Sequence, residues 1–395
     1  MDRRGMGLLA LAHVAADANQ SFLPAMLPAL VLQRHLSLAG AGSLVLAQAI
    51  SSSLIQPLVG HLADRRPLPW LILVGLLLAG GGMATIGVAG PFWELLLASL
   101  ISGVGVALFH PEGARFANVV AGPKKASGMR WFALGGNVGF AIGPLIATAA
   151  TALYGMHGTL VIFIPALVAA GLVFIELPRL QAALTQHTAD NGAHGHDDWG
   201  AFAKLTFFVG LRSTVYLSMV AFTPLIFVRA LGASPALGNF ALTAYLVAAA
   251  FGTMVGGPLA DRLGRRTMLL LSTSIASLFV LCYAVGVSRE AFVLSVVAVI
   301  GVGFVLAMSQ TAFIVLGQEY LPNHIGTASG VTLGLAISLG GSASPLLGRI
   351  ADTHGLAAAL LTTAIVLLAA LAVGITLPTR ARARLTQRRL STATA

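Results

Sequence analysis

Few side chains in this sequence could do chemistry, and those few are spaced for it. His13 and Asp17 stand four apart with Gln20 three further on, so in a helix the three share one face. A carboxylate beside an imidazole in apolar surroundings can take up and release a proton. His110, Glu112 and Arg115 form a second group. Glu112 and Arg115, three apart, can pair on one helix face, whereas His110 falls about 200° around an ideal helix from Glu112; Pro111 between them could distort that angle. Glu112 therefore reads either as a proton carrier or as half of a permanent internal ion pair. Arg212, beside Ser213, could grip a phosphonate or carboxylate with its planar fork, or extend along its stem to an interface. Asn137 and Gln310 are further hydrogen-bonding candidates, and Arg130 reads as an interfacial anchor. The candidates for reversible proton binding are thus His13, Asp17, His110 and Glu112. Those for holding a polar or anionic solute are Gln20, Arg115, Asn137, Arg212 and Gln310.

The elements that must position them are set by composition. The chain is 57% hydrophobic and 9% charged, against about 25% charged in soluble domains. A bilayer must be most of its solvent. Apolar runs long enough to span lie near 8–32, 38–60, 69–89, 92–118, 128–153 and 157–177, and again near 204–229, 236–258, 267–287, 291–316, 326–347 and 356–377. The polar stretch between the sets reads as a linker. Within the first span Asp17 lies on the order of 14 Å from its start, near mid-membrane, where an ionisable group is costly and is a functional hypothesis by default. Of the 13 acidic residues, Asp17, Glu112 and, marginally, Glu319 are expected within spans away from their ends.

The net charge of +10 does not mark a nucleic-acid surface, because the basic residues fall at the ends of apolar runs. Arg3, Arg4, Arg65, Arg66, Lys124, Lys125, Arg179, Lys204, Arg262, Arg265, Arg266 and the tail arginines lie on one side. Arg34, Arg229, Arg289 and Arg349 lie on the other. The positive-inside rule then places both termini in the cytoplasm. Cys282 is the single cysteine, so no internal disulfide can form, and the N-terminal apolar stretch lacks a cleavage pattern. His187, His194 and His196 with Asp197 and Asp198 match no strong ligand spacing, so no metal site is expected. Gly80-Gly81-Gly82 has no Lys-Ser/Thr partner and is not a phosphate loop. No nucleophile–base pair suggests an enzyme, and no cofactor is implied.

The halves echo each other at an offset of about 200 residues. Gly60-His61-Leu62-Ala63-Asp64-Arg65 matches Gly257-Pro258-Leu259-Ala260-Asp261-Arg262. Gly103-Val104-Gly105 matches Gly301-Val302-Gly303, Ala126-Ser127-Gly128 matches Ala328-Ser329-Gly330, and Gly143-Pro144 meets Ser344-Pro345. With six spans per half the repeats are parallel, which implies alternating access by rocking of the halves around a midplane site. Gly257-x-x-x-Asp261-Arg262-x-Gly264-Arg265-Arg266 resembles the signature loop of the major facilitator superfamily, a latch in which a carboxylate can pair with arginine or cap a helix. The first-half copy keeps Gly60, Asp64, Arg65 and Arg66, then departs with Pro67-Leu68-Pro69. Gly139-Phe140-Ala141-Ile142-Gly143-Pro144 resembles the Gly-x-x-x-Gly-Pro motif of superfamily proton antiporters, with Gly139 and Gly143 making a smooth packing face and Pro144 a bend.

Further strings narrow the resemblance. They are His13 through Gln20 with Leu23-Pro24 and Pro28, Phe109-His110-Pro111-Glu112 with Ala114-Arg115, Gly135 through Phe140, and Gly317-Gln318-Glu319-Tyr320-Leu321-Pro322. Together they resemble the fosmidomycin resistance protein family over essentially the whole chain. That resemblance implies a proton-driven exporter of a small phosphonate antibiotic. The expectation is an all-α membrane protein of twelve transmembrane helices in two six-helix bundles, 1–177 and 204–395 with a basic tail, joined by a cytoplasmic linker at 178–203. It would be a monomer in the bacterial inner membrane, with protons, a small molecule and lipid as partners and no nucleic acid. Import of a small metabolite by proton symport is the alternative.

Overall fold

The structure, a computed structural model, describes residues 1–65, 68–122, 125–185, 196–322, 324, 327–328, 331–335 and 340–378. The first half holds α1 (Arg3–Gln33), α2 (Leu38–Arg65), α3 (Trp70–Thr85), α4 (Phe92–Ala121), α5 (Lys125–Tyr154), a 3-10 stretch (Gly155–Ile162) and α6 (Phe163–Thr185). The second holds α7 (Trp199–Arg229), α8 (Pro235–Leu263), α9 (Arg265–Ser288), α10 (Phe292–Ala307), α11 (Gln310–Tyr320), a π turn (Val331–Leu335), α12 (Ser344–His354) and α13 (Leu356–Ile375).

These are two bundles of six spans. The tenth span differs from the single helix expected over 291–316: α10 and α11 follow one another with a break at Met308 and Ser309. The eleventh is irregular, a π turn and then α12. Residues 178–185 and 199–203 of the expected linker are helical, as the ends of α6 and α7. Glu176 therefore lies inside α6 rather than at a helix end.

Local chemistry sets several boundaries. Asp2 accepts from the backbone N–H groups of Arg4 and Gly5 at 3.1 and 3.2 Å and so caps α1. Asp198 caps α7 through Ala201 N at 2.8 Å, and Ser234 with Pro235 opens α8. Gly264, at φ +89°, makes the one-residue joint between α8 and α9 that an L side chain would strain.

Packing repeats between halves as the sequence echoes do. The pairs α2–α4, α3–α4 and α3–α6 correspond to α8–α10, α9–α10 and α9–α13. Large apolar side chains such as Phe174, Ile175 and Val293 point outward as a surface that lipid must cover. Arg3, Arg4, Arg179, Lys204, Arg262, Arg265 and Arg266 gather at the face carrying the termini. Arg34, Arg229, Arg289 and Arg349 sit at the distal face.

The buried core shows how the halves meet. Toward the distal face one apolar cluster runs through both halves, from Phe22, Leu27 and Leu44 to Phe222, Tyr245 and Leu347. Toward the terminal face the clusters are separate, one built on Leu9, Phe109 and Phe116, the other on Phe202, Phe208 and Phe313. Polar contacts agree. Asp352 of α12 accepts from Leu38 N and Ala39 N of α2 at 2.9 and 3.0 Å, and Asn239 of α8 donates to Thr148 of α5 at 2.9 Å.

Candidate functional site

Asp17 lies where the core clusters of the first half adjoin, 4% exposed on α1. His13, one turn earlier, brings Nε2 to 3.1 Å from Oδ2, and Gln20 donates to Oδ1 at 2.8 Å. The face shared by these three is thus the one the spacing implies. The structure adds His110 of α4, whose Nε2 is 3.1 Å from Asp17 Oδ1 and 3.3 Å from His13 Nε2. Helical spacing sets His110 about 200° around α4 from Glu112, on a different face. It turns to α1 while Glu112 turns away, as that angle requires.

The protons of this cluster can be counted from its outer contacts. His13 Nδ1 meets the Phe132 carbonyl at 2.8 Å and His110 Nδ1 meets the Val106 carbonyl at 2.9 Å. A carbonyl only accepts, so both Nδ1 atoms carry hydrogen, and in neutral rings both Nε2 atoms are bare lone pairs. Those lone pairs and an ionised carboxylate would then be three acceptors within hydrogen-bond distance of one another. A proton shared among them would turn these contacts into hydrogen bonds, and a second has a ready place. Protonation here belongs to the cluster rather than to one residue.

Helix α5 leaves room for this arrangement. A Cβ at Gly136 would lie 2.6 Å from Asp17 Oδ2 and 2.7 Å from His13 Nε2. At Gly139 and Gly143 it would meet Val14 O and Ala18 O, both at 2.5 Å. The glycine stripe lets α5 press its backbone against α1. The Phe132 ring stacks on His13 at 4.1 Å and fixes the imidazole plane.

The sequence matches the Major Facilitator Superfamily over residues 9–345. The chain belongs to the major facilitator superfamily. Among its relatives, a fosmidomycin resistance protein of Escherichia coli is 32% identical, covering 88% of this chain and 86% of its own. An uncharacterised superfamily-type transporter of Bacillus subtilis is 31% identical, covering 88% and 87%. In fold, the chain is similar to a bacterial homologue of the human lysosomal transporter Spinster, solved inward-facing and occupied. The TM-score is 0.78, with 17% identity and coverage of 94% and 95%. The nucleoside transporter NupG gives a TM-score of 0.73, with 14% identity and coverage of 94% and 99%. The protein is accordingly a multi-pass membrane transporter of this superfamily.

Other candidates fall into three places. Glu112 is fully buried, accepts from Leu68 N at 2.9 Å and lies 3.9 Å from Arg115. It ties α4 to the loop between α2 and α3. Arg212 is 5% exposed and does not reach an interface. It donates to the Leu306 carbonyl at the end of α10, with its guanidinium between Phe208 and Phe313, 5.9 and 5.6 Å from their ring centres. Its Nε–H, also buried, has no hydrogen-bond partner among the described residues. Asn137 is half-buried on α5. Gln310 stands exposed at the start of α11, accepting from Thr253 at 3.3 Å.

In the superfamily's signature loop of the second half, Asp261 and Arg262 are exposed and make no side-chain bond among the described residues. The pairing there is Arg265 with Glu319 and Arg266 with the Ile375 carbonyl. A Cβ at Gly257 would meet only Thr311 Oγ1, at an ordinary 3.6 Å. In the first half, the side chains at Gly60, Asp64, Arg65 and Arg130, and all of Arg66, lie outside the described residues, as do His187 and His194. Sequence reasoning passed over Gln48. This buried amide donates to the Asn19 carbonyl and to Ser102 Oγ, both at 3.2 Å, and its signal was an amide in the middle of an apolar span.

Proposed function

We propose that this superfamily member exports a small polar or anionic compound from the cytoplasm in exchange for protons, with the Asp17–His13–His110 cluster carrying the coupling proton. One observation carries the reading. Three acceptors converge in a buried site whose outer hydrogen bonds already fix both imidazole tautomers, and a proton shared among them makes the contacts favourable. Glu112 is assigned a positioning role, because its carboxylate is engaged with the backbone of the adjoining loop.

Arg212 supports an anionic cargo. It is buried in the second half, held between two rings, and keeps one unpartnered N–H. The E. coli relative's name points to a phosphonate. Positive-inside topology supports a cytoplasmic terminal face, and it is toward that face that the cores of the halves are separate. Cargo would bind there near Arg115 and Arg212 and expel a proton inward. After the halves rock, protonation of the cluster from outside would release the cargo and permit return.

Inside-out vesicles with an imposed pH gradient test this. Fosmidomycin should accumulate when the interior is acidic and stop when the gradient is collapsed. Accumulation driven by the opposite gradient would instead mean proton-coupled import. Indifference to any gradient would end the proton reading.

A further inference from the structure

We infer that the His13–Asp17–His110 cluster also binds a divalent transition-metal ion, Zn2+ fitting best, and that metal bound there arrests transport. The arrest rests on the proton-carrying role proposed above; the binding does not. No metal site was expected from linear spacing, because the ligands come from two helices and His110 lies 97 residues beyond His13.

The donor set is two imidazole nitrogens and a carboxylate, all within 4.8 Å of one another. The separations are 3.3 Å between the Nε2 atoms, 3.1 Å from His13 Nε2 to Oδ2 and 3.1 Å from His110 Nε2 to Oδ1, so the carboxylate can meet the ion through either oxygen or both. Metal–nitrogen bonds of about 2.0 Å in a tetrahedron require ligand atoms about 3.3 Å apart. The ion therefore fits with little movement. Outer contacts suit it as well. A ligating histidine normally donates its other N–H to a carbonyl or carboxylate, and here both Nδ1–H groups already donate to Phe132 O and Val106 O. Gln20 steadies the carboxylate through Oδ1, the oxygen that His110 also approaches. Two imidazoles favour Zn2+, Cu2+ or Ni2+ over Mg2+ and Ca2+, which prefer all-oxygen shells. The His110 side chain is 24% exposed, against 9% for His13 and 6% for Asp17, which gives the ion an approach and leaves a position for water.

A bound ion would occupy both Nε2 lone pairs and the carboxylate at once. It would cross-link α1 to α4 and exclude the proton from every atom that could carry it.

The test uses the full chain, purified without a polyhistidine tag and carrying His187→Ala, His194→Ala and His196→Ala, because the polar linker could bind zinc by itself. Equilibrium dialysis against Zn2+ should show one tight ion per chain that Mg2+ does not displace. His13→Gln or His110→Gln should weaken it roughly a hundredfold. With Co2+ as a spectroscopic substitute, His110→Cys should retain the ion and gain a thiolate-to-cobalt charge-transfer band, a signal that an unfolded variant cannot give. No tight Zn2+ in the linker variant, undiminished Zn2+ in both glutamine variants, or no such band would each overturn the site. Zn2+ that binds but leaves pH-driven transport unchanged would overturn the arrest alone. If transport proves independent of protons while Zn2+ still binds, the proton reading fails and the metal site stands.

Discussion

Replacing Asp352 should move the transporter between its two states without unfolding it. The carboxylate accepts two N–H bonds from the first turn of α2, at 2.9 and 3.0 Å, across the boundary between the halves. Both donors are among the groups that a helix start leaves without partners. Losing an acceptor at a helix N-terminus costs about 0.5–2 kcal/mol, and losing its charge there about 0.3–1 kcal/mol. Asp352 is exposed, so water replaces part of this, and about 1–2 kcal/mol is expected. That is a factor of about 5 to 30 in the equilibrium. The cost falls only on the state closed at the distal face, because the contact exists only there. Helix α2 keeps its own cap, Ser37 Oγ accepting from Gly40 N at 3.0 Å, so Asp352→Ala should open the distal face without fraying α2. The assay is distance measurement between spin labels on Val88→Cys and Val293→Cys in a Cys282→Ala background, since both valines are exposed near the distal ends of opposite halves. Asp352→Ala should increase the distal-open population about 5- to 30-fold, and Asp352→Asn should fall between it and the parent. An unchanged distance distribution in Asp352→Ala would refute the gate.

Gly143→Ala should lower the thermal midpoint, because its Cβ would lie 2.1 Å from Ser21 Oγ and 2.5 Å from Ala18 O; the overpacking costs about 1–3 kcal/mol. Gly171→Ala, with nothing within 4 Å, is the control that should not. Glu112→Gln retains an acceptor for Leu68 N and should keep pH-driven transport, whereas Glu112→Ala should lose about 1–3 kcal/mol of stability. Loss of coupling in a stable Glu112→Gln would make Glu112 a proton carrier after all. Arg212→Lys keeps the charge but not the fork between two rings, and should weaken fosmidomycin binding about tenfold in a direct binding titration.

How much was legible in the sequence depended on how local each interaction is. His13, Asp17 and Gln20 could be joined on paper because helical spacing alone puts them on one face. His110 could not, because its approach to Asp17 depends on how α1 packs on α4. The glycines of α5 announced a close helix contact but not its partner, nor that Gly136 would make space for the carboxylate. The break after α10 carries no proline or glycine at Met308 or Ser309. It is matched by Arg212, which donates to the Leu306 carbonyl from another helix. Asp352 drew no reading, since its partners lie 313 and 314 residues away. Hydropathy, by contrast, found the long apolar helices among the described residues, since it needs only the length of apolar runs.

The central claim is that the coupling proton resides on the Asp17 cluster. It is tested most directly by counting protons released when fosmidomycin is added to the purified transporter in weakly buffered solution with a pH-sensitive dye. The parent should release protons on binding, and Asp17→Asn should bind the compound and release none. Equal release from both would place the coupling proton elsewhere and contradict the account.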